Sequence, residues 1–146
     1  MIAADLALLG AGGFLLFGML TGLWKYRHMM RSPEAIAPPY VDIAHRTSLM
    51  YSFACVVLML LAQRSAFSNT VNLLAVIANL LFFASAVATY TLHGLLQDTD
   101  NQRRKPHKLG NSTLPNAVIG IYMALLTAAE IGGVLVLLAG AAKTIL

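Results

Sequence analysis

Residues 39–63 read PYVDIAHRTSLMYSFACVVLMLLAQ, and we expect this stretch to hold residues on which function depends. Its second half is apolar, and the whole stretch is long enough to cross a bilayer core, which needs about 20 residues in a helix. Its first half carries polar and ionisable residues, with His45 near their centre. Because such groups are costly in lipid, they usually face a partner, a cofactor or a water-filled cavity.

The composition of the chain is that of a membrane protein. Of its 146 residues, 58% are hydrophobic and 11% are charged, and the mean hydropathy is +0.72. A soluble domain usually carries about 25% charged residues. We therefore expect a polytopic protein whose surroundings are the lipid bilayer, without a nucleic-acid partner. The single cysteine, Cys55, excludes a disulfide within one chain and predicts a buried, inert thiol.

Four apolar runs predict four membrane-spanning helices in a single membrane domain. The predicted spans are roughly 4–24, 40–63, 71–95 and 114–142. The first run has no basic residues before it and carries Asp5, so it is expected to stay as a span and not to be cleaved as a signal peptide. The predicted fold class is all-α, a bundle of four transmembrane helices.

The charges of the loops predict how the bundle is oriented. The middle loop holds only Arg64 and the C-terminus only Lys143, whereas the first and third loops hold most of the Lys and Arg residues: Lys25, Arg27, Arg31, Arg103, Arg104, Lys105 and Lys108. Basic loops stay in the cytoplasm. Loops one and three should therefore be cytoplasmic and both termini outside, in what we expect to be a bacterial inner membrane.

Small residues recur at four-residue steps in the first and fourth spans. The first span has Gly18 and Gly22. The fourth span has one series of Ala124, Ala128 and Gly132 and a second of Ala129 and Gly133. Such steps let helix backbones approach closely in lipid. They predict tight packing, and the spacing alone leaves open whether the contacts lie within one subunit or between subunits.

The polar residues of the third span fall on one side of a helix. The stripe comprises Asn72, Asn79, Phe83, Ala86, Tyr90 and His93. Two interpretations remain open for its asparagines. They either hold helices together by hydrogen bonds or line a pocket.

Glu130 stands alone in the middle of the fourth span. An isolated carboxyl group in lipid tends to be neutral, and its candidate partners are Tyr51, Asn72, Asn79 or an ion. Acids in this position are commonly functional. The alternative is a protonated acid that hydrogen-bonds between helices.

His45 is either an interfacial side chain or a ligand of a metal or haem. Its neighbours Asp42 and Arg46 are spaced to pair across one helical turn. His28 and His107 fall in basic loops and His93 at a helix end, so the chain has too few ligands for an ordinary zinc site.

The order of several short motifs resembles the styrene oxide isomerases, a family of small four-span membrane proteins. The motifs are GLW at residues 22–24, AH at 44–45, AN at 78–79 and GVL at 133–135. The resemblance implies a homo-oligomer, a trimer, with haem b between subunits and its iron bound by His45. It also implies that ferric iron acts as a Lewis acid on an epoxide, which opens to a carbonyl compound.

Two positions depart from the pattern of that family. The family has Asn six residues after the histidine and Tyr four residues after the AN asparagine, where this chain has Tyr51 and Phe83. We predict that Tyr51, Asn79, Phe83 and Glu130 surround one cavity on the distal side of the haem. Glu130 is not implied by the family resemblance and is included from this sequence alone. The haem propionates are predicted to pair with Arg46, Arg27 or Arg31.

Three functions from different classes follow from the sequence. The first is a haem isomerase acting on a small lipophilic epoxide or a similar oxygenated substrate. The second is a haem protein without isomerase activity that serves electron transfer, gas binding or haem storage. The third is a cofactor-free transporter or helper subunit, with Glu130 and the asparagines as its polar path.

Overall fold

Four long helices make up most of the computed structural model, which describes residues 2–145. They are α1 (Ile2–Met29), α2 (Pro39–Arg64), α3 (Asn69–Leu96) and α4 (Asn116–Ile145). A short antiparallel hairpin of β1 (His107–Leu109) and β2 (Ser112–Leu114) lies between α3 and α4. All four helices are long and apolar enough to cross a membrane. The predicted class, an all-α membrane bundle of four helices, is confirmed.

The helices cover the first three predicted spans and extend beyond them. The largest extension is in α1, which continues past the predicted end at Trp24 to Met29. The fourth span was predicted to begin at roughly Leu114, and the helix begins two residues later. Leu114 pairs with His107 in the hairpin, and α4 begins only at Asn116, after Pro115.

The helix ends follow from local sequence. Pro39 occupies the first turn of α2, where a missing backbone N–H costs nothing. The Ser68 hydroxyl caps α3 by accepting the Val71 N–H. Asn72 joins the turn between α2 and α3, because its side chain accepts from the Ser65 hydroxyl at 2.8 Å and donates to the Phe67 carbonyl at 3.1 Å. Asn72 therefore acts as a structural tie.

Alanines of α1 form the centre of the core. Ala3, Ala7 and Ala11 are buried against Cys55 and Leu58 of α2, and the large apolar side chains of α1 point outward, where lipid would surround them. Cys55 is fully buried, as predicted. The third-span stripe also faces inward. Its buried members are Asn72, Asn79, Phe83, Ala86 and His93.

Helix α4 packs closely at one end only. Its buried residues within the described chain are Gly133, Leu137, Gly140 and Ala141, all in its second half. Gly133 lies against Asn79 and the backbone of Ala75, and Gly140 lies against Ser65. The first half of α4 buries no residue, so it leaves room for cavities between α4 and α3.

Candidate functional site

The His45 ring lies on a glycine surface of α1. Its Nδ1 is 2.8 Å from the Gly18 carbonyl oxygen. Because a carbonyl oxygen can only accept, Nδ1 carries the proton and donates it. The ring also lies directly over Gly22, where a Cβ atom would come within 2.8 Å of its Cε1. The Gly18 and Gly22 pair is therefore used inside the subunit, to seat His45 and Leu49 of α2.

This geometry leaves Nε2 as the ring nitrogen of His45 without a partner. Within residues 2–145, Nε2 forms no hydrogen bond, and it is not among the fully buried unpaired atoms. A histidine that ligates a metal almost always donates its other ring N–H to a carbonyl or carboxylate oxygen, as His45 does. Among the described residues, no three His, Cys, Asp or Glu side chains come together.

The three arginines predicted near His45 lie at the same end of the bundle and are exposed. Arg46 pairs with Asp42 at 2.8 Å, as its spacing predicted, and Lys25 reaches the same carboxylate at 2.6 Å. Arg27 and Arg31 form no ion pair within the described chain. They are therefore free to pair with an anionic group, whereas Arg46 would have to exchange Asp42 for it.

Asn79, Phe83 and Glu130 line one cavity of about 300 Å³ between α3 and α4, here called the Glu130 cavity. Asn79 donates its amide to the Ala75 carbonyl of its own helix at 2.9 Å. Its Oδ1 and the Oε1 of Glu130 are buried and have no hydrogen-bond partner in residues 2–145. Two unpaired buried oxygens in one cavity are costly, and a ligand that donates a hydrogen bond would relieve that cost.

Tyr51 does not line the Glu130 cavity, which differs from the predicted single pocket. Its ring stacks on Phe83, with 4.0 Å between centroids and 10° between planes. The Tyr51 side chain instead borders a second cavity of about 390 Å³ that extends toward the hairpin, here called the hairpin cavity. The Phe83 ring lines the Glu130 cavity with Asn79 and Glu130, and it also stacks on Tyr51. The four predicted residues therefore do not share one cavity.

The hairpin cavity combines predicted residues with others that the sequence did not point to. Tyr90 and His93 belong to the stripe predicted on α3 and Tyr51 to the predicted pocket, whereas His107 and Gln102 were not predicted to meet them. His93 is 4% exposed and bonds the Asp98 carboxylate, and His107 is 5% exposed and bonds the Gln102 carbonyl at 3.1 Å. Both were interpreted as residues of a helix end and a loop, because no periodicity reaches past Leu96. One feature of the sequence could have indicated the pairing of His93, namely Asp98, an acid about one turn beyond it at the helix end.

Burial alone raises the pKa of the Asp98 carboxyl, but hydrogen bonds from His93 and from the Gly110 N–H outweigh it and hold that pKa below its ordinary value. Asp98 is therefore an anion at neutral pH. It joins the end of α3 to the hairpin turn at Gly110, whose φ of +59° favours glycine.

No protein-family model matches the chain, and no match was found among the curated proteins or the solved structures. The function must therefore be argued from the site itself.

Proposed function

We propose that this protein binds haem b through His45 and acts on a small lipophilic epoxide or a similar oxygenated substrate. The observation that carries the proposal is the His45 ring. Its Nδ1–H is held by the Gly18 carbonyl at 2.8 Å, and its Nε2 lacks a partner in the described chain. A ring fixed in this way is oriented for ligation before any ligand arrives.

The packing of the short motifs supports the same proposal. Gly22 of the GLW motif contacts His45 of the AH motif, and Gly133 of the GVL motif contacts Asn79 of the AN motif. Motifs that are distant in sequence thus meet in pairs around the two candidate positions. Each glycine makes room for a side chain that the proposal places in the site.

The proposed site is shared between copies of the chain. His45 contacts α1, whereas the Glu130 cavity lies between α3 and α4, and His45 does not line that cavity. We propose that a homo-oligomer, a trimer by the resemblance, brings them together. On α4, a Cβ atom added at Gly120 or Gly132 would meet no atom within 4 Å, and Ala124 and Ala128 are exposed. These small residues leave a face of α4 for that contact.

In this proposal the chain supplies positioning and proton chemistry. Ferric haem contributes a Lewis acid that polarises an oxygen without a net redox change. The Arg27 and Arg31 guanidinium groups would hold its propionates. The Asn79 amide and the Phe83 ring orient the substrate, and Glu130 donates a hydrogen bond when neutral or stabilises a developing positive charge when ionised. The apolar walls of the cavity exclude water.

The transporter alternative has less support in the structure. Its polar path would run through Asn72, Asn79 and Glu130, but Asn72 is engaged by Ser65 and Phe67 at the turn. Between Asn72 and Asn79 the interior is apolar, with Ala75 and Val76 buried. A polar path along α3 is therefore interrupted.

The absorption spectrum of the purified protein tests haem binding. The parent protein should show a Soret band, and His45→Ala should lose it while remaining folded. His28→Ala, on the neighbouring part of α1, is the matched control and should keep the band. A full Soret band in His45→Ala would overturn the assignment. Native mass spectrometry of the same sample reports the number of subunits and the haem-to-chain ratio.

Turnover of lipophilic epoxides then separates an isomerase from a haem protein of another kind. Glu130→Gln keeps the size of the side chain and removes its acid, so it should lower turnover by about 100-fold or more while haem is retained. The exposed Glu34→Gln is the control. Haem-loaded parent protein without activity on any epoxide tried would favour the second function, a haem protein without isomerase activity.

A further inference from the structure

We propose that the hairpin cavity is a separate binding site for a lipophilic alcohol or phenol. The cavity holds about 390 Å³, within the range of small-molecule sites, and its walls are largely apolar. Leu92 of α3, Val118 and Leu126 of α4, and Leu109 of the hairpin contribute to these walls. The site lies outside the Glu130 cavity, and its argument does not depend on haem.

One hydrogen-bonding group at the cavity comes from His93. Its Nδ1 lies 2.7 Å from Asp98 Oδ1, and the two side chains are 4% and 5% exposed. Because the Asp98 carboxylate can only accept, Nδ1 carries the proton that joins them. The other ring nitrogen, Nε2, has no hydrogen-bond partner in residues 2–145, and His93 borders the cavity.

His107 adds a second group by the same logic. Its Nδ1 lies 3.1 Å from the Gln102 carbonyl oxygen, which can only accept, so Nδ1 carries the proton. Nε2 of His107 has no hydrogen-bond partner in the described chain, and the residue is 5% exposed and borders the cavity. Two histidines from different elements thus each leave Nε2 for a ligand.

Gln102 provides a hydrogen-bond acceptor, and its state favours a ligand that donates a hydrogen bond. Its backbone N–H donates to the Tyr40 hydroxyl, which fixes the residue in place. Its side-chain Oε1 is buried without a hydrogen-bond partner in the described chain. A buried acceptor in this state is costly until a donor reaches it.

The chemistry of these groups favours one class of ligand. The Gln102 Oε1 atom requires an O–H or N–H donor, and the hydroxyls of Tyr51 and Tyr90, which form no hydrogen bonds within residues 2–145, can donate to the same ligand oxygen. A hydroxyl group both donates and accepts, and an apolar body fills the rest of the space. A lipophilic alcohol or phenol satisfies both requirements.

Binding of 4-tert-butylphenol, compared with tert-butylbenzene, tests the proposal. The two probes share an apolar body and differ by the hydroxyl group. Calorimetry on the full-length protein in nanodiscs should show that the phenol binds at least about tenfold more tightly. Equal affinities would overturn the proposal.

Gln102→Leu identifies the acceptor. This change keeps the approximate size of the side chain and breaks no hydrogen bond of the free protein, because the Gln102 side chain makes none. It should weaken phenol binding about tenfold and leave tert-butylbenzene binding unchanged. The control Gln63→Leu, at the opposite end of α2, should leave both affinities unchanged. Unaltered phenol affinity in Gln102→Leu would contradict the assignment.

A third variant separates this site from the proposed haem site. His45→Ala removes the proposed axial ligand but lies outside the hairpin cavity, so phenol binding should persist at the parent affinity. The ¹⁵N resonance of His93 Nε2 should shift when the phenol is added and stay in place with tert-butylbenzene. Loss of phenol binding in folded His45→Ala would show that the probe binds at the haem site and would overturn the proposal.

Discussion

At the scale of single residues, the absence of a side chain at Gly22 decides where His45 lies. A Cβ atom at Gly22 would come within 3.0 Å of Nδ1, the atom that donates to Gly18. Such a separation is shorter than van der Waals contact, so the ring would have to move. Gly22 therefore fixes the position of the His45 ring, although it has no side chain that could bind a metal.

Replacing Gly22 by Ala should displace the His45 ring and break its bond to Gly18. Loss of an orienting partner typically costs about 10- to 100-fold in metal affinity. We therefore expect haem content to fall by at least about tenfold, measured by the Soret absorbance per folded chain.

Gly12→Ala is the matched control for this change. Gly12 is on the same helix and has no atom within 4 Å of an added Cβ. It should keep the haem content of the parent protein. Equal haem content in both variants would show that the seat of the His45 ring does not matter for binding.

At the scale of elements, α4 determines where the cavities open. Its second half is held against α3 and the α2–α3 turn by Gly133 and Gly140, and its first half is joined to α3 mainly through side chains, such as the 2.8 Å bond between Ser85 and Tyr122. The hairpin closes the open end, because Asp98 bonds both His93 and Gly110.

The adjacent glycines Gly132 and Gly133 allow a direct test of this packing. A Cβ atom at Gly133 would lie 2.9 Å from the Ala75 carbonyl oxygen and would clash with the Asn79 amide, whereas one at Gly132 would meet nothing within 4 Å. Overpacking costs about 1–3 kcal/mol, and the better helix propensity of Ala returns up to about 1 kcal/mol.

Gly133→Ala should therefore lower the free energy of unfolding by about 1–2 kcal/mol, while Gly132→Ala should leave it unchanged or raise it slightly. Reversible unfolding in mixed detergent micelles would measure the difference. A Gly133→Ala protein as stable as the parent would mean that α3 and α4 do not approach closely at this point.

At the scale of the whole molecule, charge is concentrated at one end of the bundle. This end carries the ends of α1 and α3, the start of α2 and the hairpin, together with His45, Asp42, Lys25 and the hairpin cavity. The opposite end has only Arg64 and Lys143 as basic residues. His45 and the hairpin cavity thus lie toward the basic end.

The basic end is expected to face the cytoplasm, with both termini outside. Alkaline phosphatase, which is active only outside the cytoplasm, should be active when fused after the C-terminus and inactive when inserted after Asp100. Green fluorescent protein should give the reverse pattern. A C-terminal reporter that is active only in the cytoplasm would refute this orientation.

Local patterns of the sequence predicted the fold class and the stripe of α3 that faces inward. Both follow from hydrophobic runs and helical periodicity, which depend on residues that are near one another in the chain. Asn79 and Phe83 could be placed on one side for this reason, and the buried state of Cys55 followed from the apolar run around it.

The contacts between residues of different elements could be seen only in the folded bundle. That Gly22 seats His45, that Tyr51 stacks on Phe83 and that His93 pairs with Asp98 beneath a hairpin depend on how separate elements approach each other. Periodicity within one helix carries no information about its rotation against the next. The loop between α3 and α4 has no periodicity at all, so the cavity that it closes could not be predicted from sequence and appeared only when the four helices were packed together.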